Sequence, residues 1–332
     1  MARVFNEGSR FDRKRELKER MMVWLAAKLG VGPSLGDVYY LATADGAMEA
    51  NLLEMGVKSS DIFHSLYTAE DAMTSGQNDV LCVTYGTYTE TAETDWDKSS
   101  THIVGLGGPQ QSGFDVGTIL TTATGTVGAV IHNTGTRNQF HDITVTNSGA
   151  AATALTAFNN AGPGTRMIGC QIAGMLGATA CDTALASSLQ MSANGYYFHC
   201  EDTIIGTTDG QVIGADTAAP LYFVASAMVS DNYFKNCLIQ GRIAAVTRVL
   251  LYIGELGCDR QLVFDGCTFY SFSVDHGTTM TQAISDANTS THDIIIKNCA
   301  GIGMTDWTTN ANMTYSSSPD AGTAGGIGVA QT

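Results

Sequence analysis

Charge is scarce in this sequence: Asp, Glu, Lys and Arg make up only 15% of its 332 residues, little for the wet surface of a compact globule. Hydrophobic residues at 44% suffice for a core, which excludes an intrinsically disordered chain. No apolar run approaches the roughly 18 to 20 residues of a membrane span, so no membrane is expected as a partner. Proline is rare, five residues against 37 glycines, which excludes rigid linkers and points to many tight turns. The eight cysteines form no Cys-x-x-Cys and no Cys/His pair at zinc spacing, so a metal is not expected, and they are too few for a disulfide scaffold of this length. Neither a P-loop nor a Gly-x-Ser-x-Gly elbow is present, and no cofactor is expected. Met1 to Glu7 lacks the apolar stretch of a secretion signal, which predicts synthesis in a cytoplasm.

Basic residues are the scarcest charges, and they are unevenly spread. Eight of the 17 lie in residues 1–28 with only four acids, which leaves nine bases against 28 acids in the remainder. So acidic a body repels nucleic acid, and none is expected as a partner. Within the basic segment, residues 9–29 read as a helix. Ser9 and Asp12 open it in the manner of a capping box, Leu17, Met21, Trp24, Leu25 and Leu29 share one face, and Gly30 to Pro33 stop it. Two roles suit this helix: a cover over the end of the following domain, or a docking element for another protein through Arg13, Leu17, Met21, Trp24, Leu25 and Leu29.

From about residue 61 the pattern becomes short apolar–polar alternations broken by Gly, Asn, Asp and Thr. Six windows align, beginning at Phe140, Met167, Tyr197, Phe234, Phe264 and Ile296, with spacings of 27, 30, 37, 30 and 32 residues. Their third positions are Asp142, Gly169, His199, Asn236, Gly266 and Asn298, types tolerant of left-handed backbone, which predicts a one-residue αL bend between two short strands. A corner repeated in one sense with a period near thirty residues indicates a parallel β-helix. Cys170, Cys200, Cys237, Cys267 and Cys299 are then expected to stack as an interior ladder, with Ile143 in the same place one coil earlier. The expected organisation is an N-terminal helical arm over 1–60, the all-β coil over 61–310 and a polar tail over 311–332.

The segment from Ala69 to Glu90, with Gly86-Thr87-Tyr88 leading out of an apolar strand, resembles the opening coil of right-handed parallel β-helix, pectin-lyase-like proteins. Tyr85 stands where that superfamily often has proline. The later windows, such as Phe234-Lys235-Asn236-Cys237, are similar to its coils, so the resemblance covers roughly 61 to 305. It implies the fold, and it leaves activity open, because pectinolytic enzymes, phage tailspikes and capsid decoration proteins share it.

Catalysis on such a rod needs carboxylates on its outer face. Asp265 is expected between Lys235 and Lys297 on neighbouring coils, a ladder of ion pairs. Glu201 and Asp202, with Asp231 and Asp259, form the candidate acid and base set of a polysaccharide hydrolase or lyase; Glu255, Asp275 and His276 lie in nearby loops. A lyase on an acidic polymer wants a basic groove, and Arg242, Arg248 and Arg260 are the clustered bases of the body. The expected function is a non-enzymatic virion structural protein, a capsid decoration or particle-attached spike, made in the host cytoplasm and docked by its arm to a capsid or tail protein. A homotrimer of rods is expected from the small outward side chains, and a host-surface glycan is a further candidate partner. The alternative is a carbohydrate-active tailspike.

Overall fold

A computed structural model describes residues 19–31, 35–109, 117–122, 125–208, 212–243, 245–273, 279–287, 292–308 and 313–316. All but two of the described strands form three long sheets whose neighbours run parallel; Met280–Gln282 and Met304–Asp306 pair with each other. Sheet 1 has eleven strands, from Ile62–Phe63 at one edge through Val38–Leu41 and Asp79–Val83 to Asp293–Lys297 and Met313–Ser316. Sheet 2 has eight, from Gly86–Glu90 to Ala300–Ile302, and sheet 3 has seven, from Thr94–Trp96 to Ile284–Asp286. The chain visits them in turn. Asn232–Lys235 lies in sheet 1, Leu238–Ile243 in sheet 2 and Leu251–Ile253 in sheet 3, and Gln261–Asp265 then returns to sheet 1 beside Asn232–Lys235. This is a parallel β-helix, wound in the right-handed sense that parallel crossovers take.

The corners explain the winding. Between sheets 1 and 2 six successive coils each bend at one left-handed residue: Asp142 (φ 54°), Gly169 (64°), Asp202 (50°), Asn236 (53°), Gly266 (67°) and Asn298 (54°). Five of these amides, from Asp142 to Gly266, reach the next coil, as Asp202 N donates to Lys235 O at 3.0 Å and Asn236 N to Asp265 O at 2.9 Å. A second left-handed column turns the chain back into sheet 1: Gly76 (φ 85°), Ser100 (51°), Arg137 (59°), Gly164 (70°), Tyr197 (58°) and Asp231 (56°). Its amides bond in the same way, Arg137 N to Pro163 O at 2.9 Å and Tyr197 N to Ser230 O at 3.0 Å.

The bend in the third window falls at Asp202 and not at the expected His199, which corrects the cysteine ladder. Cys200 pairs in register with Met167 and Phe234, so it belongs to the large-residue column Phe140, Met167, Cys200, Phe234, Phe264, Ile296. Thr203 takes its place in the other column, between Cys170 and Cys237, where its hydroxyl accepts from Cys170 N at 3.2 Å and donates to Glu201 O at 2.9 Å. Cys170, Cys237, Cys267 and Cys299 are buried as expected, and all eight cysteines are buried and free. Ring packing ties the coils axially: Phe234 stacks on Phe264 at 5.0 Å, and Phe269 meets Trp307 edge-on at 5.4 Å.

Sheet 1 runs past the expected limits of 61 and 310 at both ends. Val38–Leu41 pairs with Asp79–Val83, and Met313–Ser316 with Asp293–Lys297. Neither strand carries a corner residue or cysteine of the repeat, so the window pattern does not mark them. The rest of the tail, and residues 1–18 with Arg13 and Leu17, lie outside the described residues.

Helix α1 occupies 19–29 and closes with a Schellman turn: Gly30 (φ 65°) donates to Ala27 O, and Val31 to Ala26 O. Two short helices follow, α2 (Ala47–Glu54) and α3 (Leu66–Ala72). Ser65 caps α3, its Oγ accepting from Thr68 N at 3.3 Å. Leu66, Ala69 and Met73 enter the coil core beside Leu41, Leu81 and Trp96, closing its first end.

Candidate functional site

The outward positions of sheet 1 carry the charges that the sequence singled out. Strand alternation turns Phe234 and Phe264 inward, so Lys235 and Asp265 face out in register, with Glu201 before them and Lys297 after. They resolve into two separate pairs. Lys235 Nζ bonds Glu201, whose other oxygen lies 3.4 Å from His199 Nε2. Lys297 Nζ lies 3.0 Å from Asp265 Oδ2, which also accepts from Tyr233 Oη at 3.1 Å, while Asn298 Nδ2 donates to Oδ1 at 3.2 Å. The hydrogen bond from Lys235 holds the Glu201 carboxyl below its ordinary range, and that from Lys297 does the same for Asp265. A general acid needs the opposite shift.

The four candidate carboxylates are not brought together. Asp202 is a corner residue whose Oδ1 accepts from Asn236 Nδ2 at 3.3 Å. Asp231 belongs to the opposite corner, before Asn232–Lys235, whereas Glu201 lies level with the end of that strand. Four residues of strand separate them, about 13 Å, beyond the ~5 to 9.5 Å of a glycosidase pair. Asp231 is instead bound by Arg260 Nη1 at 3.2 Å, with Asp259 4.0 Å from Arg260 Nε. The other bases are also dispersed: Arg248 pairs with Asp216, and Arg242 lines a small recess with Met175, Ser188, Pro220 and Gln240. Asp275 and His276 lie outside the described residues.

One gathering of metal-ligand types escaped the sequence. Glu93, Asp95 and His132 bring their ligand atoms within 4.8 Å of one another on sheet 3. His132 Nδ1 lies 3.0 Å from Asp95 Oδ1 and 3.5 Å from Glu93 Oε1, while Glu93 Oε2 accepts from Ala129 N at 2.8 Å. The parallel register of Asp95 with His132 creates this contact across 37 residues, a separation that no local spacing rule covers. One imidazole and two carboxylates suit a divalent transition metal; the imidazole is meanwhile satisfied by the carboxylates themselves.

The face of α1 expected to dock elsewhere is already covered. Leu25 and Leu29 are buried against Tyr40, Val80, Cys82 and Val104 on the outside of sheet 1, and Met21 Sδ accepts from Tyr40 Oη at 3.8 Å. Gln139 Nε2 donates to Leu29 O at 2.9 Å, and Lys28 Nζ lies 2.5 Å from Asp142 Oδ2. These contacts correct Leu25 and Leu29 as free docking residues, because they serve the rod itself. Trp24 remains 45% exposed under Lys28 Nζ, 5.6 Å from its ring centroid, and the neighbouring Val23 is 70% exposed.

The chain matches no family model and no curated protein. Among solved structures it is similar to pectin methylesterase PemA from Erwinia chrysanthemi, at 11% identity over 86% of this chain and 82% of that one, TM-score 0.47. The pectin methylesterase from Aspergillus niger gives 15% identity over 86% and 84%, TM-score 0.47. ORF18 of Geobacillus virus E2 gives 14% over 75% of this chain and 56% of that one, TM-score 0.39. At such identities the likeness is one of fold alone. Among the described residues no helix is long and apolar enough to cross a membrane.

Proposed function

We propose that the chain is a non-enzymatic structural rod of a virus particle, a capsid decoration or particle-attached spike, made in the host cytoplasm and anchored through its N-terminal segment to a capsid or tail protein. The observation that carries the non-enzymatic part is the mutual neutralisation on sheet 1: Glu201 with Lys235, Asp265 with Lys297, and Asp231 with Arg260. Charges placed this way stabilise neighbouring coils, and the lysines hold Glu201 and Asp265 below the ordinary carboxyl range, the opposite of what a general acid needs. The anchoring part is supported by the concentration of basic charge in residues 1–28 and by Val23 and Trp24, which α1 presents on the side away from sheet 1.

The test has two arms. In negative-stain images of particles beside purified protein, rods should project from the particle, and Trp24→Ala should reduce attachment without changing the melting midpoint. Rods confined to the cell extract would remove the reading. Incubation with polygalacturonate or a capsular polysaccharide should release neither reducing ends nor unsaturated sugars. Release that disappears on Glu201→Ala or Asp231→Ala would instead establish the carbohydrate-active alternative.

A further inference from the structure

The outer face of sheet 2 differs from the other two. Its first outward column runs Thr87, Ile119, Thr144, Gln171, Ile204, Leu238, Thr268 and Ala300, each in register with the next. A second column holds Thr89, Thr121, Thr146 and Ala173, then Gln240, Tyr270 and Ile302. Neither column contains a charged side chain. The two charges in the strands of this sheet are Glu90, buried with its carboxylate accepting from Leu66 N, and Arg242, which stands opposite the exposed Phe272 at the far margin. Sheet 1 by contrast displays Glu201, Lys235, Asp265 and Lys297, and sheet 3 displays Asp95 and His132. In a chain of net charge −15, eight consecutive coils have kept one stripe free of carboxylates.

We propose that this stripe is the surface through which copies of the chain associate side by side. The occupant follows from charge. Two acidic rods repel wherever their carboxylates meet, and like charges brought together in a desolvated interface oppose association. The sheet 2 face is where close approach brings no such pair. Branched and hydroxyl side chains at the ~4.8 Å strand spacing give even columns, interrupted where Thr144 and Ala173 are buried within the chain and where Gln240 lines the recess, and eight strands of two to six residues present at most on the order of 500 Å². That is the larger part of the ~800 Å² per partner of a standard interface. Contact of the same stripe on every copy gives a closed cyclic assembly. The proposal is independent of particle attachment, because it concerns the free protein.

Sedimentation equilibrium of the full chain tests it. The wild type should sediment as an oligomer at micromolar concentration, the mass giving the number of copies. Leu238→Asp and Thr268→Asp each place a carboxylate in the stripe and should weaken association by about two orders of magnitude or more. Lys297→Ala, on sheet 1, should leave it unchanged. Thr268 is partly exposed, so its variant should keep the wild-type circular dichroism and melting transition at high concentration even if Leu238→Asp does not. A monomeric wild type would overturn the proposal, and would point to cover by another segment of the chain. An oligomer indifferent to Thr268→Asp but lost on Lys297→Ala would overturn it as well, by moving the interface to sheet 1.

Discussion

At the scale of single residues, two left-handed columns hold the coils in phase, and only one of them is legible in the sequence. Asp142, Asn236 and Asn298, with Gly169 and Gly266, belong to types that tolerate positive φ, so the corner shows in the alignment. The two glycines have a second cause: a Cβ on Gly266 would stand 2.7 Å from Asn236 Oδ1, and one on Gly169 equally close to Asp142 Oδ1, so the side chain of one coil occupies the space above the next. The other column contains Ser100, Arg137 and Tyr197, whose types announce nothing, because hydrogen bonds from the adjoining coils hold them there. The misplaced Cys200 has a similar origin, since a cysteine in the large-residue column imitates the ladder position three residues on, which Thr203 fills in this coil. Asn236→Val should cost about 1 to 2 kcal/mol through αL strain, read as a lower denaturant midpoint. Equal midpoints for Asn236→Val and Asn298→Val and the wild type would remove strain as the feature selecting these corners. The ladder thiols give a second check. Burial pushes Cys170 up to about 12, and hydrogen bonding with the Cys267 sulfur followed by burial raises Cys299. Iodoacetamide at pH 8 should leave Cys170, Cys237, Cys267 and Cys299 unlabelled in the native protein and label them in denaturant; native labelling of all four would contradict the inward column.

At the scale of elements, α1 is where the sequence reading divides. Its periodicity and its stop at Gly30 were legible, but whether the apolar face meets the rod or a stranger depends on the outer face of sheet 1, and that needs the strand register. The register places His102 and His141 among the residues covered there, in line with Gln139 and Val104. Burial pushes His102 down to about 4; burial first, and then Lys28, Arg166 and His102, push His141 down to about 3. An unfolded histidine titrates near 6.5. As pH falls the unfolded state therefore takes up protons first. The stability conferred by the neutral rings is complete above about pH 6.5 and is lost between there and about 4 to 3, at roughly 1.4 kcal/mol per unit for each ring while its folded form stays neutral. Gln139, bonded both to Leu29 O and to His141 Nε2, ties α1 to this face, so α1 should loosen as the rings protonate. Tryptophan emission should change between pH 6.5 and 4, the change should vanish in Trp24→Phe, and His102→Gln with His141→Gln should flatten it. An unaltered profile in the double variant would assign the acid response to other groups.

At the scale of the whole molecule, what was legible is what repeats. Winding, period and the acidic rod all follow from features that recur in coil after coil, whereas the ends obey no repeat and had to be seen. The first end matters most, because an open coil exposes both a core and a sheet edge that invites further strands. Here the edge strand of sheet 1 is only Ile62–Phe63, and α3 lies over the core with Leu66 and Ala69 fully buried. Two buried carboxylates fix that lid. Glu90 accepts from Leu66 N at 2.9 Å, and Glu70 Oε1 from Asp97 N at 3.2 Å and Lys98 N at 3.1 Å, with Lys98 Nζ 3.7 Å from its other oxygen. Burial raises both acids above their ordinary range, so they are held by hydrogen bonds at some cost in desolvation. Such a cost is understandable if the alternative is an unsealed end. Leu66→Ala should then act beyond its cavity: about 2 to 5 kcal/mol lost from the denaturant midpoint, together with light scattering that grows with protein concentration as lidless ends meet. Leu262→Ala, a truncation of a fully buried side chain in mid-coil, should lower the midpoint comparably without the scattering. If the two variants scatter alike, aggregation follows from lost stability in general, and α3 has no special part in keeping one rod from adding to another.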